Sequence, residues 1–270
     1  AGYSFMRNFY GQQVFGSLTV FGTDEFTHGR DGGFKPVNNY GADLNASNGV
    51  VDGPWSWSYQ AINTMNGVIE YAPEADMPES QKNQLIAQAK YLRAHFYFNL
   101  VQTFGDVTLR LEFIEAPRRK DTRDPEEEVY KAIIRDLQDA AEVLPPEASQ
   151  PGRADAAAAK HLLAKVYLTR GGILSQRVDG YDPTNDWDSA YVHATDLIDN
   201  QATYGLQLLQ DYDAIWEEGN EHSPEVIWTV EFGDNSQYTQ FYGDGLKYNG
   251  SNFYYRPIYY DGVNGLQRSV

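Results

Sequence analysis

The stretch from Ala87 to Leu109, AQAKYLRAHFYFNLVQTFGDVTL, constrains the fold more than any other part of the chain. Apolar residues fall at Leu85, Ala89, Leu92, Phe96, Leu100 and Phe104, in steps of three and four that place them on one helical face. Tyr97 and Val101 widen that stripe. A stripe so broad needs more than one neighbour, so the helix belongs inside a multi-helix array. Gly105 supplies the permissive backbone of a helix C-cap. Arg93 and Asp106, polar residues at the middle and end of the helix, are expected to be hydrogen-bonded inside the array rather than to touch a ligand.

The flanking sequence repeats this logic. Trp57 to Tyr71 reads as a helix, set apart from the next by Pro73 and Pro78. Asp124-Pro125-Glu126-Glu127 reads as a helix start capped by Asp124, followed by Val129, Ile133, Leu137, Ala140 and Leu144 on one face and stopped by Pro145-Pro146. Arg153 to Arg170 predicts a further helix with Ala157, Ala158, Leu162, Val166 and Tyr167 inward and Gly171-Gly172 as its end. Leu162–Gly172 echoes Phe96–Asp106 at an offset of 66 residues, which points to two-helix units in a row. Trp187 to Asp199 predicts one more helix, Asp211 to Glu217 a shorter one, and Val226 to Phe232 a short strand. Tyr3 to Val20 is expected to be helical in part, broken at Gly22-Thr23-Asp24-Glu25. Residues 28–53, rich in Gly and Asn, read as a long irregular loop, and regular structure fades from Gly233 onward.

Composition narrows the function classes. The chain has 270 residues, 41% of them hydrophobic, enough for a core in one large domain or two small ones. No run of about 18 apolar residues is present, so no segment reads as a membrane-spanning helix. Zero cysteines rule out disulfides and thiolate chemistry within this sequence. A formal charge of −17 repels phosphate backbones and argues against nucleic-acid binding. It suits a neutral ligand such as a glycan, or a cationic one, and also the surface of an exported protein. Ala1-Gly2-Tyr3 reads as mature sequence, and the chain is expected to stop short of a full-length C-terminus.

No His-Glu-x-x-His, Gly-x-Ser-x-Gly or phosphate-cradling Gly loop occurs. His28, His95, His161, His193 and His222 are scattered and read as packed or surface residues. Asp182, Thr184, Asp186 and Asp188 alternate as calcium-loop ligands would, but Trp187 stands where the turn glycine is needed and His193 at the twelfth position. Asp186 therefore reads as a helix N-cap. Glu217-Glu218 and Asp24-Glu25 read as solvated faces. No catalytic residue, metal or cofactor is expected.

Aromatic rings on polar loops are the candidates for binding. A sugar stacks its C–H face on a flat ring while amides and charges bond its hydroxyls. Three places offer that chemistry: Asn38-Asn39-Tyr40 with Asp43 and Asn45; Asp52-Gly53-Pro54-Trp55; and Tyr248-Asn249 with Asn252-Phe253-Tyr254-Tyr255-Arg256. From these, Asn39, Tyr40, Asp43, Trp55, Tyr254, Tyr255 and Arg256 are the candidate ligand contacts. Trp57, Trp187, Trp216 and Trp228 read as core.

Ala89 to Val107, Ala-x-Tyr-Leu-Arg-Ala-His-Phe-Tyr-Phe-x-Leu-Val-x-x-Phe-Gly-Asp-Val, resembles the signature helix of the SusD/RagB family, with Thr108 in place of the family's usual Pro. The resemblance continues in order through Trp57 to Asn66, Val129 to Pro145, Gly152 to Leu168, Trp187 to Leu206, and Ser223-Pro224-Glu225-Val226-Ile227-Trp228, covering roughly residues 10–232. It implies a mainly α fold of tetratricopeptide-like helical hairpins with long irregular loops and a few short strands. It also implies a single SusD-like domain over 1–270, with a helical-repeat core at 57–217 and loop-rich regions at 22–56 and 233–270. The family's members are non-catalytic nutrient-binding lipoproteins of the outer membrane. The implied partners are an oligosaccharide and a SusC-like TonB-dependent transporter, with membrane attachment only through an N-terminal lipid upstream of Ala1. Two other readings stay open from the residues alone: a glycoside hydrolase on a helical scaffold, and a repeat scaffold that binds peptides.

Overall fold

The computed structural model describes residues 2–10, 13–24, 26–28, 34–116, 121–217, 220–231 and 266–268. The candidates Tyr254, Tyr255 and Arg256, with Tyr248, Asn249, Asn252 and Phe253, lie outside the described residues. The chain divides into two compact units: Ala1–Gln60 with Val230–Val270, and Ala61–Thr229. Its described elements are almost all helical. In chain order they are α1 (Met6–Phe9), α2 (Gln13–Val20), β1 (Phe26–His28), α3 (Lys35–Asn39), α4 (Gly49–Tyr71), α5 (Glu79–Phe104), α6 (Glu126–Val143), α7 (Ala156–Arg177), α8 (Thr184–Asp199) and β2 (Leu266–Arg268). Helices α5, α6, α7 and α8 pack each against the next in sequence, which is the expected row of helical hairpins.

The stripe on α5 is wider than one face. Tyr91 through Phe98 are all buried, Arg93 and His95 among them, so the helix is enclosed on every side in its middle turns. Leu85 departs from the expected stripe. It sits in the second turn, before the enclosed part begins, and is 37% exposed.

The signature residues hold one strap, residues 107–114, against α4 and α5. Gly105 ends α5 at φ +70°, a conformation that a side chain rarely adopts. Asp106 Oδ1 then accepts the Glu126 N–H (2.9 Å) at the start of α6. The Asp124 N–H donates to the Val107 carbonyl (2.9 Å), and its carboxylate accepts the Leu109 N–H (2.7 Å). Asp124 is therefore committed to the strap, and the cap expected of it is supplied from across the turn by Asp106. Asn63 closes a two-way bond with Ile114, its Oδ1 accepting at 2.8 Å and its Nδ2 donating at 3.0 Å. Asn66 Nδ2 donates to the Arg110 and Glu112 carbonyls (3.1 and 2.9 Å). The Tyr97 hydroxyl donates to the Arg110 carbonyl (2.7 Å) and accepts from its N–H (2.6 Å).

Arg93 ties these parts together. Its guanidinium binds Asp136 of α6 through Nε (2.7 Å) and Nη2 (2.8 Å), and Nη1 donates to Asn66 Oδ1 (2.8 Å) and the Leu111 carbonyl (3.1 Å). Both charged partners are buried. Every donor so engaged offsets part of the desolvation cost of the pair.

Two helix ends differ from expectation. Helix α7 runs through Gly171-Gly172 to Arg177 because Gly171 is a contact point: a β-carbon there would lie 2.9 Å from Trp187 Nε1 and 3.1 Å from Asp186 Cβ. The glycine lets α8 come close instead of stopping α7. Asp186 is not the N-cap of α8 either. It lies within the first turn, buried, where it accepts from the Arg170 guanidinium and the Tyr181 hydroxyl (2.5 Å). Asp182 takes the capping role, its Oδ1 accepting the Thr184 N–H at 3.0 Å. Trp187 and Trp216, expected in the core, are 49% and 60% exposed. Residues 226–231 form no strand. Trp228 instead packs on Tyr91 and His95 (ring centroids 5.4 and 5.5 Å apart) and donates Nε1–H to the Gly152 carbonyl (3.2 Å).

Candidate functional site

The region expected to be loop from 28 to 53 is partly helical. Pro36 in the first turn starts α3, and the chain leaves α3 in the left-handed conformation at Tyr40 (φ 50°, ψ 40°). Asn48 then opens α4. Its carbonyl accepts the Val51 and Asp52 N–H groups (2.8 and 2.9 Å), and its Oδ1 accepts from Val50 N (3.0 Å). Asp52, Gly53, Pro54 and Trp55 therefore lie in the first turns of α4, not on a loop. Gly53 and Pro54 do not break the helix, because the helix-capping Asn48 upstream outweighs them. Trp55 is half-buried with its ring 5.0 Å from Tyr59, and Trp57 covers Gly53, where a β-carbon would sit 3.0 Å from the indole.

A small apolar cluster supports this segment. Phe21, Val37 and Val50 are buried together, with Leu18, Phe34 and Leu44 packed against them. The turn after α3 therefore rests on a fixed base. Asp43 and Asn45 shape the next turn: the Asp43 carbonyl accepts from Asn48 Nδ2 (3.0 Å), and Asn45 Oδ1 accepts from Ser47 N (3.0 Å). The Asp43 side chain is exposed, as is Asn39, whose Oδ1 accepts from Asn38 Nδ2 (2.8 Å).

Tyr40 stands out at this site. It is the described non-glycine residue with positive φ, a conformation that costs a bulky side chain roughly 1–3 kcal/mol. The energy is not recovered by burial, since Tyr40 is 72% exposed. One end of the ring rests on Gly22, itself at φ +80°, where a β-carbon would lie 2.6 Å from the hydroxyl oxygen. The structure thus brings Asn39, Tyr40 and Asp43 together at one corner and sets Trp55 on a helix. Gly22 was legible only as a break, because a close approach by a residue eighteen positions away leaves no local signal.

The larger unit is a row of packed helical hairpins, and in the other unit an aromatic ring stands exposed on a strained turn. A SusD-like family profile, described as starch-binding and associating with the outer membrane, matches residues 26–168. The chain belongs to this SusD-like family. It is similar to SusD-like protein P2 of Formosa agariphila, 31% identical over 234 residues that cover 84% of this chain and 43% of that protein. A SusD-like protein of Bacteroides ovatus is 32% identical over 188 residues, covering 67% of this chain and 33% of that protein. The chain thus spans less than half the length of these relatives. Among solved structures, a laminarin-binding SusD-like protein superposes with a TM-score of 0.70 at 28% identity, over 84% of this chain and 48% of the other. A second, solved with a xylogluco-oligosaccharide, gives a TM-score of 0.70 at 25% identity over 86% and 46%.

Proposed function

We propose that this protein captures glycans without breaking them and passes them to a SusC-like TonB-dependent transporter, while tethered by an N-terminal lipid to the outward face of the outer membrane. The observation that carries the reading is Tyr40, exposed on a left-handed turn between Asn39 and Asp43. An open ring beside an amide and a carboxylate can stack on a sugar and bond its hydroxyls. Trp55 and, further along the chain, Tyr254, Tyr255 and Arg256 are proposed as additional contacts. Membership of a family described as starch-binding and outer-membrane-associated supports the reading, as do a neighbour described as laminarin-binding and another solved with a xylogluco-oligosaccharide.

The test is calorimetric titration with laminari- and xylogluco-oligosaccharides, with the ligand recovered afterwards and assayed for new reducing ends. The expected result is saturable binding with every recovered chain at its starting length. New reducing ends would replace capture by hydrolysis, and absence of binding to any glycan would end the proposal.

A further inference from the structure

Two residues with positive φ meet in the unit formed by Ala1–Gln60 and Val230–Val270. Gly22 has φ +80° and Tyr40 φ 50°. A β-carbon at Gly22 would lie 2.6 Å from the Tyr40 hydroxyl oxygen and 2.9 Å from both Cε2 and Cζ, closer than β-carbons approach other atoms. All three atoms belong to the hydroxyl end of the ring, so that end rests against the bare backbone of Gly22. Any side chain at position 22 would claim the space the ring now takes.

Seat and ring are anchored to one base. Phe21, directly before Gly22, is buried with Val37 and Val50, and its ring meets Phe34 edge-on at 6.3 Å. Val37 lies in α3, the helix that Tyr40 caps. Thr23 Oγ1 donates to the Val20 carbonyl (2.7 Å) and closes the turn around Gly22. On the other side the Gly41 N–H donates to the Pro36 carbonyl (3.2 Å), and the Leu44 N–H to the Gly41 carbonyl (2.9 Å). Neither turn can shift without disturbing the shared apolar cluster.

An exposed tyrosine on an ordinary turn samples several rotamers, and a sugar that stacks on it must first order it. Tyr40 is 72% exposed, yet its hydroxyl end is in contact with backbone, which cannot swing aside as a side chain would. Contact of this kind limits the ring's freedom without covering it.

We propose that Gly22 is a positioning residue of the glycan site: the lack of a side chain there lets the Tyr40 ring settle in one orientation before a sugar arrives. The inference rests on the glycan-capture reading above and adds a residue that touches the ring, not the ligand. A double-mutant cycle tests it, with affinity for laminari-oligosaccharides read by calorimetry. Gly22→Ala adds the β-carbon and also strains the backbone at positive φ. Gly22→Asn adds the same β-carbon on a residue type that adopts the left-handed conformation more readily, which guards against loss of the fold. Thermal melts establish that each titrated variant is folded. Both variants should bind several-fold more weakly than wild type, and neither substitution should change the affinity of Tyr40→Gly, whose ring is already gone. Wild-type affinity in Gly22→Asn, or the same fold-loss with and without the Tyr40 ring, would overturn the inference while leaving glycan capture standing. A wild type that binds no glycan would end both, so the two failures are distinguishable.

Discussion

At the scale of single residues, charge and protonation inside the helical array decide the stability of the frame. Arg93 and Asp136 are both buried and bonded bidentately. Removing one partner leaves an unpaired buried charge, which costs about 3–5 kcal/mol. Arg93→Met should therefore lower the urea midpoint strongly, while Arg93→Met combined with Asp136→Leu should recover most of the loss. Near-additive effects of the two substitutions would contradict the pairing. His95 supplies a second test. Burial, assisted by the positive charge of Lys165, pushes its pKa from 6.5 down to about 3. The unfolded chain then binds a proton that the folded chain refuses. The stability contributed is intact above pH 6.5 and is lost as pH falls from there toward about 3. At pH 5 the loss amounts to about 2 kcal/mol relative to pH 8. Denaturant titrations of wild type and His95→Gln at both pH values should show a smaller acid loss in the variant, and parallel losses would refute it. The sequence placed Arg93 correctly as a bonded interior residue, since an Arg amid a run of apolar and aromatic residues has few other fates. It could not name Asp136 as the partner, because a contact 43 residues away depends on the packing of α5 on α6.

At the scale of elements, the Phe-Gly-Asp-Val turn works as a joint between α5 and α6. Asp106 caps α6 from outside that helix, so Asp106→Ala should cost about 1 kcal/mol. Gly105→Ala should cost more, because it forces a β-carbon into φ +70° and to 3.1 Å from Glu126 Oε1. Asp124→Ala should lower stability through the strap rather than through helix content. A circular-dichroism signal that falls as much for Asp124→Ala as for Asp106→Ala would contradict this division. The positions of the α5, α6 and α8 helices were legible from period and punctuation, as was the inward face of α6. The boundaries that failed did so at glycines and prolines. Gly171 serves a close helix crossing, and Gly53-Pro54 is carried inside a helix that Asn48 had already capped. In each case a tertiary contact or an upstream cap outweighs local propensity, and neither is visible in a short window of sequence.

At the scale of the whole molecule, the exposed ring of Tyr40 on its left-handed turn is the part proposed to meet the ligand. The family resemblance was legible because the residues that hold the strap, Asn63, Asn66, Arg93, Tyr97 and the Gly105-Asp106 turn, must all be present together for that geometry to form. The candidate site is legible in the sequence only in its ingredients: residue type points to Asn39, Tyr40 and Asp43, while the backbone strain at Tyr40 and its seat on Gly22 depend on the fold. Such strain separates function from stability. A ring kept for packing would lower stability when removed, whereas a ring kept for binding would not. The decisive measurement is therefore Tyr40→Gly, followed by both thermal melting and calorimetric titration with a laminari-oligosaccharide. Glycine relieves the positive φ, so the melting temperature should hold or rise, while loss of the stacking face should weaken affinity about tenfold. Unchanged affinity together with a lower melting temperature would contradict the account.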